Sequence, residues 1–550
     1  MNRRSFLKSG LAAGTATLAA GCGKPPADRE AANYQSGGAW NIPEFEFAEA
    51  TVDELQRAQT DRRLSARALT ETYFSRMDAV DAAGPGLASV IERNPEALAA
   101  ADALDRERKE RGPRGPLHGI PILIKDNIAT ADRMETTAGS LALVGSKPQR
   151  DAEIVRRLRE SGAVILGKTN LSEWANFRST RSTSGWSGRG GQTRNPYALD
   201  RNPCGSSSGS GAAASANLCA AAIGTETDGS IVCPSSICGI VGIKPTVGLA
   251  SRSGIIPISA TQDTAGPMAR TVADAAALLT VIAGADALDP ATNRNKANVN
   301  YAAHLDAGAL KGARIGVVRK MFGGNPLVAH IAEGAIAAMK KLGAEVIDPV
   351  WIESHGKPDD SEFQVLLYEF KDGLNRYLAS LGPAARCKTL ADVIAFNEAN
   401  RDREMPYFGQ EILQQAQNKG PLTSKEYLDA LKICRRLSTT EGIDAVMIKH
   451  RLDALVAPTT DPAFPTDWAL GDHYTGGGAS TLPAVAGYPH VTVPAGFVFG
   501  LPVGISFIGR AWSEPRLIEL AYSFEQGTKH RAAPRFLPTA DFGAGIKGRT

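Results

Sequence analysis

The chain has 550 residues, an ordinary hydrophobic content of 43% and a formal net charge of +3. Residues 1–21 contain Arg3, Arg4 and Lys8 and no acidic residue, so without them the net charge falls to 0. A neutral body has no general electrostatic attraction to nucleic acid, which argues against a nucleic-acid partner.

The N-terminus has the three regions of an export signal in order. Arg3-Arg4 provides the basic start, and residues 11–20 form an apolar run that is too short to span a bilayer. The paired arginines followed by Phe6-Leu7-Lys8 resemble a twin-arginine signal. Residues 18–22 resemble a lipoprotein cleavage box that ends at Cys22. We therefore expect an exported protein, either periplasmic or anchored in the membrane through a lipidated Cys22.

Domain organisation follows from composition. Residues 1–21 are the expected signal peptide, and residues 22–45, rich in Gly, Pro, Ala and charge, are the expected tether. Length alone suggests several domains, but no clear internal linker follows. We expect one large domain over residues 46–530 and a C-terminal tail over residues 531–550, with no spanning helix after the signal.

Helices and strands alternate along this domain. A capping box at Thr51–Glu54 and a cap at Ser65 predict the first two helices, and residues 94–111 and 151–161 predict the next two. Apolar runs predict strands, and amphipathic stretches predict further helices. The predicted strands are residues 120–124, 163–166, 314–318, 345–347, 454–456 and 490–493; the later helices are 271–282, 328–342 and 513–525. This alternation predicts an α/β fold, a mixed twisted sheet with helices on both faces.

Six cysteines remain after Cys22. Four of them lie near a serine-rich segment, at positions 204, 219, 233 and 238. The small apolar neighbours of Cys219 and Cys238 predict buried free thiols, and we expect the cysteines of this region to be unpaired. Paired CxxC motifs and local histidines are absent from this segment, which argues against a zinc site.

Three polar residues stand in unusual settings. Ser230 ends a glycine turn over residues 224–229, where successive N–H groups can stabilise an oxyanion. Lys125 follows the predicted apolar strand at residues 120–124. Burial there would lower the pKa of the lysine and allow it to act as a general base. Ser206 begins a run of three serines, and its hydroxyl could relay a proton between base and nucleophile. Taken singly, each has a plainer interpretation: a Gly-Ser turn, a solvent-reaching lysine and a flexible linker.

Together these motifs resemble the amidase signature family, the Ser–cis-Ser–Lys hydrolases. The matching segments are residues 119–127, 204–210, 224–234 and 238–246, with later echoes at 262–267 and 502–505, and the resemblance covers residues 45–527. It implies the amidase signature fold, with Ser230 as the nucleophile that forms the acyl-enzyme, Ser206 as the relay and Lys125 as the base. It places the oxyanion-hole N–H groups at Thr227, Asp228, Gly229 and Ser230, and it implies no metal and no cofactor.

Within the family, residues 174–178, 185–187 and 190–196 are most similar to bacterial peptide amidases. The implied reaction hydrolyses a carboxylic or peptide C-terminal amide to acid and ammonia. Two residues depart from the usual pattern, because Cys204 and Asp228 stand where many members have glycine. We expect residues 174–192 and a mostly helical insertion over residues 361–430 to form the pocket walls.

Other functions remain open at this point. A broader aliphatic or aromatic amidase, or an amide or ester hydrolase of the same family, would share every motif. A GxSxG elbow centred on Ser207, with His490 as its histidine, would indicate an α/β-hydrolase. A tRNA-dependent amidotransferase component shares the family fold, although an export signal argues against it. A non-catalytic peptide-binding lipoprotein is the alternative from a different class.

Overall fold

A computed structural model describes Trp40, residues 42–295 and residues 299–548. The predicted signal peptide and Cys22 lie outside the described residues, as does most of the predicted tether. The chain from Trp40 onwards forms one unit. In these ranges, no helix is both long and apolar enough to cross a bilayer.

A mixed 12-stranded sheet runs through the domain. Its order is β1-β3-β2-β6-β8-β7-β12-β13-β11-β9-β10, with β14 paired to β12, while β4 and β5 form a separate pair. The strands are β1 (Val90–Arg93), β2 (Pro121–Lys125), β3 (Val164–Thr169), β4 (Trp186–Ser187), β5 (Gly191–Gln192), β6 (Ala221–Glu226), β7 (Val241–Lys244), β8 (Thr264–Ala269), β9 (Arg314–Val317), β10 (Glu345–Ile347), β11 (Ala454–Pro458), β12 (His490–Val498), β13 (Leu501–Ile508) and β14 (Ile546–Lys547). Strand β2, the third from one edge of the sheet, is parallel to both β3 and β6.

Helices are interspersed with these strands along the chain. They are α1 (Val52–Thr60), α2 (Ala66–Met77), α3 (Ala97–Arg111), α4 (Glu153–Glu160), α5 (Ser208–Ser215), α6 (Val232–Ile237), α7 (Val272–Ile282), α8 (Pro326–Lys341), α9 (Asp359–Ser380), α10 (Leu390–Ala399), α11 (Arg401–Glu404), α12 (Glu411–Gln417), α13 (Lys425–Ser438), α14 (Asp444–His450), α15 (Thr481–Ala486) and α16 (Glu514–Thr528). All five residues of β2 are buried. Since alternate side chains of a strand point to opposite faces, both faces of the sheet are covered there. The predicted α/β architecture is confirmed.

Most predicted element boundaries agree with the structure to within a few residues. The capping box at Thr51 is formed, and Ser65 caps α2. The third helix starts at Ala97 rather than residue 94, since Asn94 instead bonds through its side chain to the Glu96 N–H. The strand predicted to end at Leu166 continues to Thr169.

The predicted helical insertion is present as α9 to α12 and the start of α13. These helices have a hydrophobic core of their own, in which Phe370, Leu374 and Leu413 are buried. Trp174 and Phe177, which lie between β3 and β4, belong to the same core. The insertion is therefore fastened to the segment that begins at Trp174.

The cysteine prediction is half right. Cys219 and Cys238 are buried free thiols, as expected. Cys204 and Cys233, however, form a disulfide, so the expectation that they are unpaired is wrong. Spacing along the chain could not indicate this pair, because the loop before α5 and the first turn of α6 meet only in the folded domain. Cys204 has a φ of 61°, a left-handed conformation that glycine adopts more readily.

We expect the disulfide to contribute to stability. It joins residues 29 positions apart. A cross-link of that span restricts the unfolded chain and so raises the free energy of unfolding by about 3 to 4 kcal/mol. Urea unfolding of a Cys204→Ala/Cys233→Ala variant should show this loss in the free energy of unfolding. The control is a Cys219→Ala/Cys238→Ala variant, which removes two buried thiols without a cross-link; an equal loss there would contradict the prediction.

Candidate active site

Lys125 is the last residue of β2 and is fully buried. Burial lowers its pKa from 10.5 to about 7, against the smaller opposing effect of Glu226 and Asp263. Its Nζ lies 2.8 Å from Ser206 Oγ, 3.0 Å from Ser207 Oγ and 2.9 Å from Thr225 Oγ1. The lysine is therefore surrounded by hydroxyl groups and is poised to be neutral near pH 7.

Ser206 follows a cis peptide bond after Gly205. A Cβ added at Gly205 would lie 2.2 Å from Ser172 Oγ and 3.0 Å from Ser184 Oγ, so only glycine fits. The next residue, Ser207, donates its N–H to the Ser230 carbonyl over 3.1 Å. This bond brings the segment that contains Ser206 directly beside the glycine turn.

The turn before Ser230 is organised by a residue that sequence reasoning missed. Glu226 ends β6, and its carboxylate accepts the N–H groups of Gly229 (2.9 Å), Ile231 (2.8 Å) and Val232 (3.1 Å). Gly229 has a φ of 76°, which reverses the chain before Ser230. The only available signal was an acidic residue inside a glycine–threonine turn. Ser230 itself keeps a small exposed fraction of 8%.

The bonds to Glu226 determine which of the four N–H groups predicted for an oxyanion hole are already occupied. The Gly229 N–H is already bonded to Glu226 Oε1. In the part of the chain that the structure describes, the N–H groups of Thr227, Asp228 and Ser230 have no hydrogen-bond acceptor. Three of the four predicted donors are thus unbonded among the described residues, and the fourth would have to leave Glu226 before it could bind an oxyanion.

The carboxylate of Asp228, one of the two residues that depart from the family pattern, has a partner on a neighbouring helix. Its Oδ2 accepts the Thr481 hydroxyl over 2.8 Å, so the carboxylate is held by α15. Among the described residues Oδ1 has no hydrogen-bond partner. Burial raises the pKa of this carboxyl group, and the Thr481 hydroxyl and nearby Ser480 oppose the rise.

A cavity of about 560 Å³ opens beside the Ser230 turn. From here on it is called the cleft. It is lined by Gly205, Asp228, Gly229, Val232, Cys233, Met321, His355, Gly356, Asp359, Thr459, Thr460, Tyr474 and residues 476–482. The predicted walls, residues 174–192 and 361–430, do not line this cavity, although Ala175 lines a smaller one beside Thr225 and Thr227. They pack against each other instead, since their large apolar side chains form the separate core described above.

The α/β-hydrolase alternative does not fit the geometry. His490 is fully buried on β12, where its Nε2 contacts Ser506 Oγ at 2.6 Å. Burial lowers the pKa of His490 to about 3. Ser207, the centre of the supposed elbow, donates instead to the Thr225 carbonyl over 3.0 Å. In the described ranges, no group of three or more His, Cys, Asp or Glu side chains is arranged to hold a metal ion.

Known proteins resemble this chain over most of its length. The family model described as Amidase matches residues 68–518. A probable amidase of Arabidopsis thaliana is 43% identical over 504 residues, covering 90% of this chain and 93% of the relative. A component of the glutamyl-tRNA(Gln) amidotransferase of Caldanaerobacter subterraneus is 34% identical, covering 89% of this chain and 99% of the relative.

A solved structure extends the comparison to the fold. The native peptide amidase from Stenotrophomonas maltophilia superposes with a TM-score of 0.86 at 52% sequence identity. The match covers 90% of this chain and all of that one. The lysine and the two serine segments of this chain lie together, within the span that the family model matches. The chain belongs to the amidase signature family, and it is an amide-hydrolysing enzyme.

Proposed function

We propose that this enzyme removes the C-terminal amide group of peptides, with Ser230 as nucleophile, Ser206 as proton relay and Lys125 as base. The observation that carries the proposal is the contact between Ser206 Oγ and the buried Lys125 Nζ at 2.8 Å. The similarity to a peptide amidase at 52% identity supports the substrate class.

Hydrogen-bond accounting favours Ser206 over Ser207 as the relay. Ser207 gives its single proton to the Thr225 carbonyl and accepts the Thr225 N–H, so its hydroxyl has no proton to offer Lys125. A neutral lysine has two N–H donors and one lone pair. Ser206 is the nearer of the remaining hydroxyls and adjoins the residue bonded to Ser230.

The reaction then proceeds in two halves. Neutral Lys125 takes the Ser206 proton as Ser206 takes the proton of Ser230, whose oxygen attacks the amide carbon. The oxyanion accepts hydrogen bonds from the free N–H groups of the turn, and each such donor stabilises the transition state by about 3 kcal/mol. The protonated lysine returns the proton through Ser206 to the departing nitrogen, which leaves as ammonia. Water then repeats the sequence on the Ser230 ester and releases the acid.

Substrate profiling tests this function. Ammonia release would be measured for amidated peptides, for simple aliphatic and aromatic amides, and for free glutamine as the amide donor of an amidotransferase. We expect the highest kcat/KM on amidated peptides. Higher values on simple amides would favour the broader amidase, and hydrolysis of none would favour a non-catalytic binder. The lower identity to the amidotransferase component, 34% against 52%, supports the amidase over the tRNA-dependent role.

Replacing the two neighbouring serines should separate their roles. We expect Ser206→Ala to lower kcat by about 10³-fold, because the proton path between Lys125 and Ser230 is broken. Ser207→Ala should lower it by at most about tenfold, since only a bond that positions Lys125 is lost. Steady-state kinetics on one amide substrate would measure both. A larger loss of kcat for Ser207→Ala than for Ser206→Ala would show that Ser206 is not the relay.

Export and anchoring complete the proposal. We propose that the enzyme acts in the periplasm and is held at the membrane by lipidated Cys22. The Cys204–Cys233 disulfide supports this location, since disulfides persist in oxidising compartments.

Cell fractionation of the full chain tests the proposed location. Substituting Arg3 and Arg4 by lysine should retain the protein in the cytoplasm. Cys22→Ala should block lipid attachment, so that the protein is no longer found in the membrane fraction. Wild-type protein in the cytoplasm with an unprocessed N-terminus would contradict both steps.

A further inference from the structure

Exposed apolar side chains concentrate on the loop between β11 and α15. Trp468, Leu470 and Tyr474, within seven residues, are 48%, 65% and 56% exposed. Tyr407, which follows α11, stacks on Trp468 with ring centroids 4.9 Å apart and planes inclined by 17°. We call these four residues the aromatic platform. The stacked pair of Tyr407 and Trp468, with two further exposed apolar side chains in the same loop, is a candidate interaction surface.

The rings of the platform are held from below. Trp186, which is only 6% exposed, meets Tyr407 edge-on at 5.6 Å. Trp468 donates its indole N–H to Gln192 Oε1 over 3.2 Å. The end of the loop is fixed as well, because Gly478 donates its N–H to the Met321 carbonyl over 3.2 Å. Rings that are already fixed lose little conformational freedom when a ligand covers them.

The loop that carries the platform continues into the catalytic region. Tyr474 lines the cleft. Two residues earlier, Asp472 accepts the N–H and the hydroxyl of Ser184, over 2.8 Å and 2.5 Å. Ser184 is packed against Gly205, the residue before the relay serine. The loop thus connects Tyr474, which lines the cleft, to the exposed ring of Trp468 six residues earlier.

We propose that the aromatic platform binds apolar side chains of the peptide substrate, at residues that precede the amidated one. This inference rests on the proposed function. Tryptophan and tyrosine supply large, rigid contact area and commonly dominate binding surfaces. The carboxylates of Asp467 and Asp472 in the same loop disfavour an anionic lipid surface as the occupant, since that surface would repel them. The platform thus selects peptides over single-residue amides.

Kinetics with two substrates test the platform. Leucine amide is compared with a Phe-Phe-Ala-Leu amide, which is three residues longer and extends by about 3.5 Å per residue. We expect Trp468→Ala and Tyr407→Ala to lower kcat/KM on the tetrapeptide about tenfold more than on leucine amide, mainly through KM. The matched control is Trp40→Ala, which removes another exposed tryptophan with one indole hydrogen bond, to Phe536. It should change neither value.

Equal losses on both substrates, or no loss on either, would overturn the platform. A loss of binding to phosphatidylglycerol vesicles, without any change on the tetrapeptide, would assign the rings to the membrane and overturn it too. If wild type hydrolyses neither amide, the proposed function fails, and calorimetric titration of the tetrapeptide amide into Ser230→Ala still decides the inference. Binding that is weakened about tenfold by adding Trp468→Ala supports the platform, and unchanged or undetectable binding overturns it.

Discussion

Replacing Ser230 with alanine is expected to abolish ammonia release and leave substrate binding intact. The hydroxyl is the only part of the residue lost, and in the proposed mechanism its oxygen forms the acyl bond. Removing a nucleophile of this kind lowers kcat by about 10⁴- to 10⁶-fold. The turn should survive, because Glu226 holds it through the N–H groups of Gly229, Ile231 and Val232. KM or a directly titrated dissociation constant should therefore change little.

A buried serine nearby provides the control for Ser230→Ala. Ser235 lies on α6, five residues further on, and its hydroxyl has no hydrogen-bond partner among the described residues. Ser235→Ala should keep near wild-type turnover. A fluorophosphonate probe should label wild type and Ser235→Ala but not Ser230→Ala. Turnover near wild type in Ser230→Ala would show that another residue attacks the amide.

Local sequence patterns predicted much of the fold. The caps at Thr51 and Ser65 and the apolar run before Lys125 each depend on neighbouring residues, so they could be recognised from the chain alone. The order of the strands could not, because β6 lies beside β8 and β12 beside β7 through contacts made far along the chain. The pairing of Cys204 with Cys233 is hidden for the same reason.

The motifs predicted which residues form the candidate site but not the hydrogen bonds between them. Lys125 Nζ lies 2.8 Å from Ser206 Oγ, and the Ser230 carbonyl accepts the N–H of Ser207. The motifs do not show which hydroxyl has a proton to share, whereas the structure shows that Ser207 gives its proton to the Thr225 carbonyl. Asp228 illustrates the same limit, since its partner Thr481 lies 253 residues away. Such partners are set by tertiary packing.

Replacing Lys125 with methionine is expected to lower kcat/KM by about 10²- to 10⁴-fold near neutral pH, because the general base is lost. In wild type the base must be neutral, and its pKa is lowered by burial to about 7. Activity should therefore rise with pH through about 7 and level off above it. The lysine is protonated below that pH and cannot accept the Ser206 proton. A kcat/KM profile from pH 5 to 10 would measure this limb.

The neighbouring strand offers a matched control for Lys125→Met. Lys168 on β3 is also fully buried with its pKa lowered, to about 8, but its Nζ donates to the Ile128 carbonyl and Thr136 Oγ1, each over 2.7 Å. Lys168→Met should cost stability, seen as a lower Tm, while the folded enzyme keeps its limb near pH 7. Because both lysines are buried, loss of that limb only in Lys125→Met would assign it to the base rather than to buried charge in general. An unchanged limb in Lys125→Met would exclude Lys125 as the base.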